Sequence, residues 1–406
     1  MERKTLTYFS CIWVILFCLA TITFFAPVMI DLKLLKLLSW GIIALTFMYV
    51  FRDIFFTIQK NSRYAQIMKI FVMVILSSMI TAYVFHGQDI FKSVTVVLTN
   101  LSLFIFFFFY KNKISIRYTE KIIWVMLIIH LMIFFIALAY APAVIFDLSD
   151  SVADVNMSRV IARVKVLGVG FVYLGFFMAL NKMTVPKFNY KYGILSFFLF
   201  IIILMNVSRQ HIIFSLLVGI LLVFKNVKWY FKIISIALTA YFVTYLFENV
   251  EVVKNLFQLT TSQIDEDGMQ NIRVRAFKYF FLDYNDNWGQ ILFGNGIVHL
   301  SSNWGMKEVA SMYKTGFVMA DVGYAKLYVY WGAIGVLLLM YLSMKIFTQK
   351  IPPTLDYCKY YFLFMLLTNV ASHSFFTDMV QVAFVIYILD VSYRTQYADK
   401  ANLLKT

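Results

Sequence analysis

The chain has 406 residues, 62% of them hydrophobic and only 14% charged, with a formal net charge of +15 and a mean hydropathy of +0.78. A water-soluble domain of this length cannot hide so much apolar surface, so the composition excludes one and makes the bilayer the solvent. The excess of Lys and Arg does not point to nucleic acid, because it sits mostly in short segments between apolar runs, where it orients a membrane protein.

A crossing helix needs about 20 mostly apolar residues, each advancing about 1.5 Å through a core of about 30 Å. That ruler predicts an all-α polytopic membrane protein of about twelve transmembrane helices. They fall near 8–28, 35–52, 67–85, 93–110, 121–144, 161–181, 192–207, 210–225, 230–248, 323–345, 358–372 and 374–391. The first run follows Arg3 and Lys4 like a signal peptide, but no small-residue cleavage site precedes Pro27, so it reads as a retained helix. The connections within 192–225 and within 358–391 are so tight that either pair is also compatible with one long bent helix or a re-entrant hairpin. Cys11, Cys18 and Cys358 lie in or near apolar runs, which suggests neither a disulfide framework nor a thiolate metal site.

On alternate sides of these spans, one set of connections and both termini hold 22 Lys and Arg, and the opposite short connections hold seven. The asymmetry predicts that both termini are cytoplasmic. The polar stretch 248–323, between the ninth and tenth helices, is then one large extracytoplasmic loop within a single domain spanning 1–406. Inside it, Asn271 to Phe281 reads as a basic amphipathic helix at the interface. Trp288, Trp304, Tyr313, Tyr324, Tyr328, Tyr330 and Trp331 suit an aromatic belt at the outer headgroups.

The polar residues on that outer side are the candidates for chemistry. Arg209 sits in Asn206-Val207-Ser208-Arg209-Gln210-His211, between two apolar spans. A permanent cation there either meets lipid headgroups or lines a polar site, and its planar fork binds phosphate bidentately. Arg273 and Arg275 are two apart, whereas Arg275 and Lys278 share a helical face; the plain alternative is a basic face on anionic lipid. Arg159, Arg163 and Lys165 oppose the charge rule at the start of the sixth span, and pairing with Asp147, Asp150 or Asp154 would explain them. His299 follows the Gly294-Asn295-Gly296 turn, and His373 lies in Ala371-Ser372-His373-Ser374. Either is a candidate proton acceptor near neutral pH, against the commoner structural role of a lone histidine. His86 and His211 lie on the same side, and His130, inside a span, reads as satisfying a local hydrogen bond. Asp321, before Gly323-Tyr324, would cap the tenth helix, orient a base or pair with an arginine. Asp265-Glu266-Asp267-Gly268 lacks an EF-hand ligand series and reads as a solvated turn. No P-loop, HExxH, GxSxG or CxxC arrangement is present. No metal site and no cofactor is therefore expected.

In layout and in local sequence the chain resembles the O-antigen polymerase and O-antigen ligase superfamily of integral-membrane glycosyltransferases. Ser208-Arg209 resembles a serine–arginine pair at an outer helix end, and Arg273 and Arg275 resemble arginines early in the large loop. Ile291-Leu292-Phe293-Gly294-Asn295-Gly296 is similar to an LFGxG turn. Asp321-Val322-Gly323-Tyr324 with Tyr330-Trp331-Gly332-Ala333-Ile334-Gly335 is similar to the run entering the next helix, and Arg163 to Gly168 resembles an arginine–glycine element before helix six. The closest local matches fall within 271–335. The resemblance implies a polysaccharide polymerase in the bacterial inner membrane, with its site facing the periplasm or outside. It would transfer a growing glycan from undecaprenyl pyrophosphate to the next lipid-linked repeat. Arg209 with Arg273 or Arg275, and Arg163, would hold the pyrophosphate; His299 is the leading base, His373 its rival, and Asp321 a support. The implied partners are the undecaprenyl-pyrophosphate-linked oligosaccharide, membrane lipids and a chain-length regulator, with no nucleic acid. A ligase moving glycan to lipid A core shares this architecture. A lipid-linked oligosaccharide flippase is the alternative of another class, disfavoured by the asymmetric loop and the scarcity of ionisable residues within the spans.

Overall fold

The computed structural model describes residues 2–57, 59, 61–141, 143–146, 166–206, 208–226, 244 and 272–403. Among them every regular element is helical, and the one extended pairing is an isolated bridge between Pro27 and Phe146. The helices are α1 (Glu2–Thr21), α2 (Leu32–Phe55), α3 (Ala65–His86), α4 (Ile90–Asn100), α5 (Ile105–Asn112), α6 (Ile116–Ala139), α7 (Gly170–Thr184), α8 (Tyr190–Met205) and α9 (Arg209–Asn226). They continue as α10 (Ile272–Lys278), α11 (Trp288–Phe293), α12 (Asn303–Thr315), α13 (Gly323–Thr348), α14 (Asp356–Thr368), α15 (Ser374–Thr377) and α16 (Met379–Leu403). Local chemistry sets several boundaries. Asp31 and Asp89 cap α2 and α4 by accepting backbone N–H bonds, from Lys33 at 2.9 Å and Phe91 at 2.8 Å. Gly87 ends α3 in the left-handed conformation.

Five helical stretches among the described residues are long and apolar enough to cross a bilayer: Leu32–Phe55, Ala65–His86, Ile90–Asn112, Ile116–Ala139 and Gly323–Thr348. Apolar side chains midway along them face outward, with Met48 71%, Ile80 65% and Met132 61% exposed. Such surface is stable against hydrocarbon rather than water, and the chain is a membrane-embedded helical protein. The span expected at 93–110 is two helices joined by a 3-10 turn over Leu101–Phe104. Its second half, α5, is buried on all sides from Ile105 to Phe109, so no amphipathic stripe marks where it breaks off. The sixth expected span is described only as the shorter α7, and the ninth, 230–248, falls outside the described residues apart from residue 244. The segment 272–322, read as loop, is largely helical, and the amphipathic helix expected at 271–281 is α10 followed by a π-turn over Tyr279–Asp283.

Tertiary bonds fix the direction of the helices. At what we term the lower end, Asp390 accepts from Ser62 Oγ at 2.7 Å and from Arg63 N at 2.9 Å. There too Lys182 pairs with Glu120 at 2.7 Å and Lys225 with Asp356 at 2.6 Å. At the upper end, His211 of α9 approaches Ser374, His373 donates to Ala320 O, and His86 meets Asn295. Helices α9 and α14 are therefore antiparallel, and so are α3 and α13. Both tightly connected pairs reverse direction at the upper end, between α8 and α9 and over 369–373, rather than continuing as single bent helices. The four ion pairs among the described residues, which also include Lys111–Asp53 and Arg394–Asp390, all lie toward the lower end.

A backbone interlock joins α13 to the turn after α11. Gly332 breaks the α13 helix with φ +63, which frees carbonyls one turn earlier. Asn295 N–H donates to Val329 O at 2.7 Å and Gly296 N–H to Tyr330 O at 3.1 Å, so the freed acceptors are satisfied inside the protein, as a membrane requires. The approach is close enough that a Cβ on Gly294 would lie 2.4 Å from Tyr330 O, and one on Gly332 would lie 2.2 Å from Leu292 O. Gly332→Ala is expected to lose about 1–3 kcal/mol from the left-handed backbone alone, and more from the clash. Thermal unfolding in detergent, followed by tryptophan fluorescence, should show the drop, whereas Leu337→Ala on the lipid-facing side should leave the midpoint nearly unmoved.

Candidate functional site

The interlock carries a polar scaffold on the upper end of the bundle. Asn295 is fully buried; its Nδ2 donates to Asn285 Oδ1 at 2.7 Å and its Oδ1 meets His86 Nε2 at 2.9 Å. The His86 ring stacks on Trp304 with centroids 4.0 Å apart and an interplanar angle of 6°. Trp304 Nε1 and Tyr284 OH both donate to Glu308 Oε1, at 3.2 and 2.7 Å, and burial beside that carboxylate pushes the Tyr284 hydroxyl up from its ordinary pKa. Trp304, Tyr330 and Trp331 are buried here rather than set in an aromatic belt, because histidine, glutamate and neighbouring phenylalanine side chains cover them. Trp288 and Tyr313 remain exposed.

His299 belongs to this scaffold. Its backbone N–H donates to Gln88 Oε1 at 2.8 Å, and its Nδ1 accepts from Ser301 N–H at 3.2 Å. The lone pair on Nδ1 is thus already engaged, which leaves the proton on Nε2. Partial burial and the positive charges of Lys92 and Lys36 lower its pKa. None of these contacts reaches the second histidine cluster.

That cluster lies where the turn between α14 and α15 meets the starts of α9 and α13. His373 Nδ1 donates to Ala320 O at 2.8 Å, which fixes the tautomer and leaves Nε2 as an acceptor with no hydrogen-bond partner among the described residues. Burial, and then the charge of Lys326, lower its pKa to about 4, so the ring is neutral at physiological pH. Beside it, Ser372 Oγ and Ser374 Oγ are 2.6 Å apart, and Ser374 Oγ lies 3.4 Å from His211 Nε2. His211 Nδ1 in turn bonds Ser208 Oγ at 2.6 Å, and Tyr173 of α7 stacks on the His211 ring at 5.1 Å. The turn is locked onto α13 by close backbone packing: Tyr324 N–H donates to Asn369 O at 3.2 Å, and a Cβ on Gly323 would lie 2.0 Å from Ser372 O.

Arg209 opens α9, two residues from His211, at this same end. Arg273 and Arg275 are exposed on α10, and Arg275 lies over the Phe317 ring at 5.6 Å. Phe317 is three residues from Ala320, so Arg275 and His373 approach the 317–321 segment. Phe281, just after α10, stacks on Tyr328 of α13 with centroids 4.9 Å apart, anchoring this arm to the bundle. Arg163 lies outside the described residues. Asp321 ends a 3-10 turn, and Val322 rather than Asp321 occupies the cap position of α13 without a side-chain bond; the capping reading of Asp321 is therefore corrected. The Asp321 carboxylate makes no hydrogen bond or ion pair among the described residues. His130 also departs from expectation, because its Nδ1 meets Leu167 O at 3.0 Å across the fold rather than locally.

Two members of the cluster were not singled out from sequence. Tyr173 carries no motif, and its stacking on His211 follows only from the packing of α7 against α9. Lys326 is visible in the sequence as a lysine one turn inside a long apolar span, with Tyr330 four residues later, and that spacing is the signal that would have found it. A cavity of about 950 Å³ opens at the lower end, lined by Arg117, Glu120, Lys182 and Lys187 among others. It does not mark this site: it contains no histidine, and Glu120 is already engaged by Lys182 and Tyr357. Among the described residues no cluster of His, Cys, Asp and Glu suits a metal ion, and Cys11, Cys18 and Cys358 are free thiols. Comparison with protein-family models, with curated proteins and with solved structures finds no match to this chain.

A lowered histidine pKa means that the unfolded state binds more protons than the folded state between pH 6.5 and about 4. The stabilisation from neutral His373 is present above that window and is lost as pH falls through it. Unfolding midpoints at pH 7 and pH 5 should differ more for the wild type than for His373→Asn, whose amide can keep the bond to Ala320 O. Equal pH dependence in the two proteins would contradict this burial of His373.

Proposed function

We propose that this protein is a polysaccharide polymerase that transfers a growing glycan from undecaprenyl pyrophosphate to the next lipid-linked repeat unit. In this reading the upper end faces outward, both termini are cytoplasmic, about twelve spans surround the site, and the membrane is the bacterial inner membrane. The observation that carries it is the His373 cluster: a neutral imidazole with its Nε2 lone pair open, beside Ser374 and His211, with Arg209 two residues from His211 at the start of α9. The motif resemblance over 271–335 supports the same reading. The sidedness rests on the excess of Lys and Arg in the connections at the lower end.

The chemistry follows from those groups. The acceptor sugar hydroxyl attacks the anomeric carbon of the donor glycan, the bond from that carbon to the pyrophosphate oxygen breaks, and the hydroxyl proton passes to His373 Nε2. His373 suits this better than His299, whose basic nitrogen is already held by Ser301. The negative charge that a pyrophosphate brings would raise the depressed His373 pKa toward the working range. Arg209, with Arg273 or Arg275, would stabilise the charge developing on the departing pyrophosphate. No nucleotide and no metal is called for, because the donor already carries its leaving group.

The test is the surface-glycan ladder of a deletion strain, with lipid-linked intermediates extracted in parallel. A polymerase leaves single repeats at the surface and no longer rungs. Polymer stranded on undecaprenyl pyrophosphate would indicate a ligase instead, and unpolymerised repeats held on the cytoplasmic leaflet a flippase. In the complemented strain, Arg209→Ala and His373→Ala are each expected to cut polymer at least a hundredfold at normal protein level, about the range a general base or oxyanion donor contributes. An unchanged ladder from both variants would remove them from the site.

A further inference from the structure

Lys326 is a cation that neither the fold nor the arginine assignments account for. It lies in the first turn of α13, where the helix amides already create positive potential, so a lysine there is electrostatically unfavourable. No described carboxylate is within ion-pair distance of it; the ion pairs of the described residues all involve other cations, toward the lower end. Its Nζ lies instead over the faces of Phe376 at 5.0 Å and Tyr330 at 5.5 Å. Two aromatic faces hold an ammonium in place but replace only part of its hydration. Phe376 N–H donates to His373 O at 3.0 Å, so the ammonium sits beside the turn that carries the open imidazole. A partly buried, aromatic-caged cation at a helix start, with no carboxylate partner among the described residues, is complementary to an anionic ligand.

We propose that Lys326 and the 373–376 segment form a subsite for a phosphate oxygen of the lipid-linked substrate. The identity of that substrate as a polyprenyl pyrophosphate rests on the polymerase reading; the anion chemistry rests on the geometry around Lys326. A flexible stem with a compact charge suits a phosphate oxygen that shifts as the leaving group departs, where a rigid arginine fork would hold one geometry.

Full-length protein in nanodiscs of neutral phosphatidylcholine is titrated with undecaprenyl pyrophosphate, with uncharged undecaprenol and phosphatidylglycerol as controls. Lys326→Gln should weaken pyrophosphate binding at least tenfold, Lys326→Arg should stay within about threefold, and undecaprenol binding should not change, consistent with loss of one charge-assisted contact. Lys326→Gln binding within threefold of wild type overturns the subsite. Because this variant removes a side chain packed on two rings, a wild-type measurement accompanies it: acylation of Lys326, read by mass spectrometry, should be suppressed by undecaprenyl pyrophosphate. Equal labelling with and without the lipid also overturns the proposal. The two readings separate cleanly. Lys326-dependent binding in a protein whose deletion leaves the glycan ladder intact upholds the anion subsite and sinks the polymerase, and an altered ladder with Lys326-independent binding does the reverse.

Discussion

The backbone contact between α13 and the two turns that flank its upper half is the constraint on which the site depends. In hydrocarbon a broken helix is tolerated only where protein groups take up the carbonyls it frees. Gly332 breaks α13, and the Leu292–Gly296 turn supplies Asn295 and Gly296 N–H groups to Val329 O and Tyr330 O. At the start of the same helix, Gly323 lets Ser372 O approach to a distance that no side chain would permit. These contacts set the start of α13, and with it Ala320, Lys326 and the 369–374 turn, in one arrangement.

Charge is divided along the same axis. Toward the lower end cations meet carboxylates directly, as Lys182 meets Glu120 and Lys225 meets the fully buried Asp356. Such pairs tie neighbouring helices together and leave little charge for a ligand. At the upper end, imidazoles, hydroxyls and the aromatic-caged Lys326 take the place of paired carboxylates. This division of charge between the two ends is what the proposed binding of an anionic lipid substrate draws on.

Much of the helical architecture was legible from apolar run length, since a span facing lipid must be long and uniformly apolar. The match is close for α2, α3, α6 and α13, whose outward faces are exposed. It is poorer at α5, where burial on every side erases periodicity, and in 272–322, where short helices have too little apolar length to register. Of the site, Arg209 and His373 were legible as polar residues in short connections between predicted spans, and Arg275 and His299 as residues of the large polar loop. Their relations were not. Which histidine keeps an open lone pair depends on Ser301 lying against His299 Nδ1 and on Ala320 O lying against His373 Nδ1. The second of these contacts spans 53 residues of chain.

The sequence by itself determined that this protein lives in a membrane, that its helices alternate in direction, and that its polar candidates cluster in the connections. Those properties follow from transfer free energies and charge counts that each segment carries alone. Only the tertiary structure decided that the 208–211, 317–321 and 372–376 segments meet, that Asp321 is not a helix cap, and that Lys326 has the Tyr330 and Phe376 rings beside it. The reason is physical: hydrogen-bond direction, tautomer and ion pairing are properties of pairs of groups, and the packing of α9, α13 and α14 is what makes those pairs.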